Sequence, residues 1–178
     1  EERTIGPELG QDSIDAGRMA ALIGAAIVSL YIIASYGWFG MMANMALAVN
    51  IALIMAVLSA IGATLTLPGI AGIVLTMGMA VDANVLIYER IREELRDGAN
   101  PRRAVEAGFE RAFSAIMDSN LTGFLTAVIM YWLGSGAVRG FAVTLGLGII
   151  TSMFTAVYVT RLIVELWLDW KRPKTIVV

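Results

Sequence analysis

Five long apolar stretches, separated by short polar or glycine-containing breaks, dominate the chain. A helix that crosses about 30 Å of hydrocarbon needs about 20 apolar residues, at about 1.5 Å of rise per residue. Each stretch is apolar around its whole circumference, which is typical of a helix in lipid. The pattern therefore predicts an all-α, polytopic transmembrane helical bundle of about five spans. The predicted spans are residues 18–36, 41–62, 69–88, 115–133 and 140–162.

Turn-forming residues stand at most of the breaks. Gly37 and Gly40 bracket the predicted first turn, and Pro68 with Gly69 marks the second. A Gly-Ser-Gly run at residues 134–136 marks the fourth. The punctuation thus agrees with the division into five spans.

The third connection, residues 89–114, is charged rather than glycine-rich. We expect the third helix to continue out of the membrane through residues 89–96. Asn100 followed by Pro101 is typical of an N-cap and a first helical turn. We therefore predict a short interfacial helix that begins at Pro101 and leads into the fourth span.

Lysine and arginine indicate the orientation, because they are enriched on the cytoplasmic side of membrane proteins. Nine of them fall on one side of the topology, namely Arg90, Arg92, Arg96, Arg102, Arg103, Arg111, Lys171, Arg172 and Lys174. This distribution predicts an external segment (1–17), a transmembrane domain (18–170) and a cytoplasmic tail (171–178). The chain begins with Glu1 rather than Met, and we expect it to continue a longer protein that includes an external domain.

The composition excludes several other classes of protein. Hydrophobic residues make up 58% of the chain and charged residues 16%, whereas soluble domains are about half apolar and about a quarter charged. The net charge of −2 offers no basic field for nucleic acid. Cysteine and histidine do not occur, which excludes disulfide scaffolds, Cys/His zinc sites and Cys or His catalysis. No cofactor and no metal are expected.

Two Asp-x-Asn motifs interrupt the apolar spans, Asp82 with Asn84 in the third span and Asp118 with Asn120 in the fourth. Charged groups inside a bilayer cost several kcal/mol, so such residues are candidates for function. Asp82 lies 14 residues from Pro68, and Asp118 lies 14 residues from Trp132, the residues that mark the outer ends of their helices. Each distance is about 21 Å along the helix axis. The two carboxylates are therefore expected at one depth, nearer the cytoplasm.

Asp82 is predicted to be functional, because a carboxylate buried in a membrane can change its protonation as its surroundings change. The alternative is a structural hydrogen bond, or an ion pair with a helix outside this chain. For Asp118 two interpretations remain open, a functional role and simple capping of the start of the fourth span.

Small and polar residues repeat every fourth position in three spans. Thr122 and Thr126 follow Asp118 in the fourth span. The other two stripes are Gly72, Thr76, Ala80 and Asn84 in the third span, and Thr144, Gly148, Ser152, Ala156 and Thr160 in the fifth. Close helix packing explains such stripes, and we favour it. The alternative is a wet, hydroxyl-lined path for protons or ions.

Three further polar residues lie in the spans. Arg161 could pair with a carboxylate at similar depth, but we favour a side chain that extends to the cytoplasmic interface. Asn44 and Asn50 are expected to be interhelical hydrogen-bond partners rather than ligands.

Several motifs of this chain, in this order, resemble the SecD/SecF family of protein-export subunits, and its SecD members in particular. The longest is GMAVDANVLIYERIREE at residues 78–94. The others are GPELG at 6–10, LTLPGIAG at 65–72, DSNLT at 118–122, GFAVTL at 140–145 and TSMFTA at 151–156.

The resemblance implies half of an RND-type membrane domain (resistance–nodulation–division superfamily) in the bacterial inner membrane. It implies coupling of the proton motive force to late-stage translocation of secreted polypeptides, with Asp82 in the proton-conducting position. The implied partners are a SecF-like subunit, the SecYEG translocon, the accessory proteins YajC and YidC, and the translocating polypeptide.

Three alternatives stay open at this point. One is another proton-coupled RND exporter, and another is a scaffold that only holds translocase subunits together. The third is an intramembrane aspartyl protease in which Asp82 and Asp118 share a proton. The sequence around Asp82 lacks the Gly-x-Gly-Asp signature of that protease family, so no enzymatic activity is expected.

Overall fold

The computed structural model describes residues 7–63, 65–173 and 175–178. Its helices are α1 (Pro7–Ala60), α2 (Leu67–Arg96), α3 (Pro101–Leu133), α4 (Ala137–Phe154), a π-helix (Thr155–Val159) and α5 (Thr160–Lys171). No strand occurs within the described ranges. The all-α prediction is therefore confirmed.

Helix α1 is a hairpin of two arms, residues 7–36 and 38–60. Between them Gly37 has φ 54° and ψ −117°, a conformation that a residue with a Cβ rarely adopts. The Nδ2 atom of Asn44 donates to the carbonyl of Ser29 at 3.2 Å, across 15 positions of sequence. In a straight helix these residues would be about 22 Å apart, so the arms run antiparallel.

The first turn is tighter than the sequence predicts. Only Gly37 leaves the helical conformation, and Gly40 already belongs to the second arm. A Cβ added at Gly40 would overlap the backbone of Ile32. Gly40 thus serves the close approach of the two arms rather than the turn itself.

Four helical segments are long and apolar enough to cross a membrane. They are Gln11–Ala60, Leu67–Arg96, Pro101–Leu133 and Ala137–Lys171. Because the first of them folds back at Gly37, the described chain has five crossing elements, as the apolar pattern predicts.

Helix α3 corrects one boundary. It begins after Asn100, whose Oδ1 accepts a hydrogen bond from the backbone N–H of Arg103 at 3.0 Å. It then continues without interruption to Leu133. The predicted interfacial helix and the span predicted to start at residue 115 are therefore one helix. The apolar side of its first turns continues directly into Ala112 and Ile116, which are buried. The same face of the helix therefore packs against the bundle in both parts.

Helix α2 lies at the centre of the bundle, in contact with α1, α3 and α4. One end of the bundle holds Gly37, the C-terminal end of α2, the start of α3 and the last described residues. We call it the basic end, because Arg92, Arg102 and Arg172 lie there. Thr66, which caps α2, and Gly140 of α4 lie close together at the opposite end.

Candidate functional site

The two Asp-x-Asn motifs lie on neighbouring antiparallel helices. Gly108 of α3 packs directly against the backbone of Ile91 in α2. Asp82 is nine residues before Ile91, and Asp118 is ten residues after Gly108. At about 1.5 Å per residue the two aspartates lie level to within about 2 Å. This register agrees with the equal depth expected from their distance to the span ends.

Both motifs orient their side chains in the same way. Asp82 and Asp118 are exposed on the surface of the described bundle. Asn84 and Asn120 are only 3% and 5% exposed. Residues two positions apart on a helix are separated by about 200°, so a carboxylate that faces outward places the amide in the core.

Asp82 lies on the surface of the described bundle rather than inside it. Gly78 lies one turn before it on the same exposed face, and a Cβ added at Gly78 would meet no atom within 4 Å. Among the residues that the structure describes, Asp82 has no hydrogen-bond or ion-pair partner. Any partner of this carboxylate must therefore come from outside these residues.

The capping interpretation of Asp118 is wrong. Helix α3 begins at Pro101, so Asp118 lies near its middle. Thr122 and Thr126 are exposed beside it, and the Thr126 hydroxyl donates to the Thr122 carbonyl at 2.9 Å. This polar stripe therefore lies on an outward face of α3.

The stripes of α2 and α4 pack against each other. A Cβ added at Gly72 would overlap Thr144, and one added at Gly148 would overlap Thr76. All nine residues of these two stripes are buried. The Thr76 hydroxyl donates to the carbonyl of Ile73 at 2.9 Å, one turn back in its own helix. These contacts support close packing rather than a wet path between α2 and α4.

The asparagines have different partners. Asn84 Oδ1 accepts from the Thr160 hydroxyl at 2.9 Å, across two elements. Asn120 Nδ2 donates to the Ile116 carbonyl of its own helix at 2.8 Å, and its buried Oδ1 has no partner in the described chain. Asn44 bonds between the arms of α1 as expected, whereas buried Asn50 has no hydrogen-bond partner among the described residues.

Arg161 pairs with a carboxylate of its own helix. Its Nε donates to Glu165 Oε1 at 2.7 Å, one turn closer to the basic end. Both side chains border a cavity of about 140 Å³, together with Arg102 and Asp169. Arg161 therefore meets neither aspartate of the two motifs.

An aromatic cluster at the basic end is absent from the sequence-based candidates. The Tyr88 hydroxyl donates to the Phe39 carbonyl at 2.9 Å, just after the Gly37 turn. The Phe39 ring meets Tyr88 at 5.5 Å and Trp167 at 5.8 Å between centroids. The π-helix was also not predicted, because no residue type marks a π-helix in sequence. In the described part of the chain, no group of three or more acidic side chains is placed to hold a metal ion.

Comparisons with known proteins agree with the fold. A family described as protein export membrane protein SecD/SecF, C-terminal, matches residues 1–170. The protein translocase subunit SecD of Rhodobacter capsulatus is 61% identical over 178 residues, which are 100% of this chain and 32% of that protein. The SecD subunit of Pseudomonas aeruginosa is 61% identical over 166 residues, 93% of this chain and 27% of that protein.

A solved structure gives the same answer. SecDF from Thermus thermophilus, described as a translocon-associated membrane protein, matches with a TM-score of 0.91 at 47% identity, over 96% of this chain and 24% of that one. The chain thus spans about a third of the length of the curated relatives it matches, 32% in the Rhodobacter case. The fold is that of an RND-type membrane domain. On this evidence, the chain belongs to the SecD/SecF C-terminal family of protein export membrane proteins.

Proposed function

We propose that this chain is the C-terminal membrane part of a SecD-like subunit, and that Asp82 couples the proton motive force to late-stage translocation of secreted polypeptides. The observation that carries the proposal is the position of Asp82. Its carboxylate lies in an apolar stretch of α2, faces out of the described bundle, and has no partner among the described residues. A charge in that setting is costly unless it is paired from outside or exchanges a proton.

The same position indicates the kind of partner that is required. A SecF-like subunit would cover the exposed face of Gly78 and Asp82 and supply the complementary polar group. The SecYEG translocon, YajC and YidC, and the polypeptide in transit are the further partners of this proposal. The protein would lie in the bacterial inner membrane, with the basic end in the cytoplasm.

Protonation of Asp82 would remove the cost of a charge in the apolar layer and let α2 change its contacts. Release of the proton toward the cytoplasm would restore the pairing and reset the cycle. An enzymatic role is not part of the proposal. In the described chain both aspartates face outward from separate helices, whereas a protease dyad needs carboxylates close enough to share one proton.

The test uses the full-length subunit with its SecF partner in inverted membrane vesicles. Completion of export of a secreted protein is measured with and without a proton gradient, for wild type, Asp82→Asn and Asp97→Asn. Asp97 is exposed and lies just after α2, so it controls for the substitution itself. Asp82→Asn should lose the gradient-dependent part by roughly tenfold or more, as expected for an essential intramembrane carboxylate.

Co-purification with the SecF partner shows whether each variant assembles. If Asp82→Asn assembles and keeps its gradient dependence, the proton-coupling proposal is wrong and a scaffold role replaces it.

A further inference from the structure

One buried hydrogen bond ties the core side of α2 to the start of α5. The Thr160 hydroxyl donates to Asn84 Oδ1 at 2.9 Å. Thr160 is 0% and Asn84 3% exposed. Among the described residues it is the one side chain-to-side chain hydrogen bond that joins two buried residues. In an apolar layer such a bond has no water to replace it.

The bond falls where the last helical segment is irregular. The π-helix Thr155–Val159 ends directly before Thr160. The Thr160 hydroxyl lies 3.2 Å from the Thr155 carbonyl as well as near Asn84. Its one proton is therefore shared between an acceptor in the π-helix and an acceptor in α2. Short π-helical segments inside α-helices are rare and are found mostly at functional sites.

Helix α2 packs in parallel with the last helical segment both before and after the π-helix. Before it, Gly72 lies against Thr144 and Thr76 against Gly148, each pair 72 positions apart in sequence. After it, Asn84 meets Thr160, 76 positions away. The Asn84–Thr160 hydrogen bond thus joins α2 to the first residue after the π-helix.

Asn84 is two residues from Asp82 and on the opposite side of α2. A hydrogen bond that holds the amide in the core also fixes the rotation of the helix about its axis at this level. A rotation by a single residue position is about 100°, enough to turn the Asp82 carboxylate from the outward face toward a neighbouring helix.

We propose that Asn84 and Thr160 are a positioning pair that holds the end of the π-helix against α2 and thereby sets the direction in which Asp82 faces. The role assigned to Asp82 rests on the proposed function above. The pair touches no proton or substrate itself, and acts through the rotation of α2.

The test uses Thr160→Val in the full-length subunit with its SecF partner, with Thr160→Ser as the variant that keeps the hydroxyl. Thr76→Val is the matched control, because Thr76 is equally buried and donates only within its own helix. The first readout is amide hydrogen exchange over residues 155–161. We expect exchange there to rise at least roughly tenfold in Thr160→Val, and to stay unchanged in the other two variants.

The second readout is carbodiimide labelling of Asp82, measured as the ratio of a lipid-soluble to a water-soluble reagent. This ratio reports the surroundings that the carboxylate faces, and a merely structural bond would leave it unchanged. We expect a change of roughly threefold or more in Thr160→Val and restoration in Thr160→Ser. Asn84→Ala serves as the second variant if Thr160→Val does not assemble, since it removes the acceptor of the same bond.

Faster exchange with an unchanged labelling ratio would make the bond structural and overturn the positioning role. A changed ratio without faster exchange would overturn the part assigned to the π-helix, and no change in either would overturn both. These results do not depend on export, so they are separate from the failure of Asp82→Asn to alter gradient dependence.

Discussion

The two Asp-x-Asn motifs share a pattern and a level in the bundle, but their surroundings differ. Twelve of the 30 residues of α2 are buried, against eight of the 33 residues of α3. Asn84 is bonded to Thr160 of another element, whereas Asn120 bonds only to its own helix and leaves one buried oxygen without a partner. The same three-residue pattern is therefore tied to the rest of the bundle in α2 and not in α3.

This difference indicates that the packing of the carrier helix distinguishes two carboxylates of the same motif. Helix α2 packs against α1, α3 and α4, so a movement of α2 would disturb three other helices. A movement of α3 beyond Asn120 meets little resistance, because Ala127 is the only later residue of that helix that is buried. Under the proposed coupling role, we therefore expect Asp82, and not Asp118, to drive a concerted change.

The largest expected effect separates the two aspartates directly. Asp118→Asn should keep gradient-dependent export within roughly twofold of wild type, while Asp82→Asn loses roughly tenfold or more. The reason is that only the Asp82 motif is hydrogen-bonded, through Asn84, to another element of the bundle. Both are measured in the same inverted vesicles. An equal loss in the two variants would end the comparison and indicate that the carboxylates act as a pair.

The second effect concerns two glycines, Gly148 of α4, which packs against α2, and Gly123 of α3. Gly148→Ala places a Cβ against Thr76 in the packed stripes and should lower the free energy of unfolding by about 2 kcal/mol, as overpacking does. Gly123→Ala in α3 meets only side-chain ends, Ile149 Cδ1 at 3.2 Å and Met79 Cε at 3.6 Å. It should cost less than about 0.5 kcal/mol.

Thermal unfolding of the detergent-solubilised complex measures both glycine variants. If the two variants are equally stable, the packing of α4 against α2 at Gly148 is no tighter than the packing around Gly123 of α3.

The smallest effect sharpens the comparison of the amides. Asn84→Leu removes an interhelical hydrogen bond and should cost about 1 kcal/mol, the size typical of such bonds in membrane proteins. Asn120→Leu removes a buried oxygen that has no partner, so it should be neutral or slightly stabilising. The same unfolding measurement applies, and a larger loss for Asn120→Leu would show that its oxygen has a partner in the assembled complex.

The sequence predicts the fold class and the five crossing elements, because each membrane-spanning helix requires a long apolar stretch that is visible in the sequence. It also predicts the stripes of α2 and α4, since close helix approach requires small residues at a fixed spacing. The level of the two aspartates follows from counting residues along regular helices.

Other features depend on contacts that single positions do not reveal. The exposed face of Asp82 depends on which side of α2 is packed by α1, α3 and α4. The uninterrupted course of α3 depends on packing of its charged first half against Ile91 and its neighbours. The Asn84–Thr160 hydrogen bond joins residues that are 76 positions apart, and one of them directly follows a π-helix. No local sequence signal specifies that contact.

The single-residue turn at Gly37 bears on how this protein is made. The two membrane-crossing arms are joined by one non-helical residue, so we expect them to enter the bilayer together as a helical hairpin. The turn is completed by Tyr88, which is synthesised 49 residues after Phe39. We therefore expect the two arms and α2 to insert as one unit, whose stable arrangement in the membrane is reached only after α2 has been synthesised.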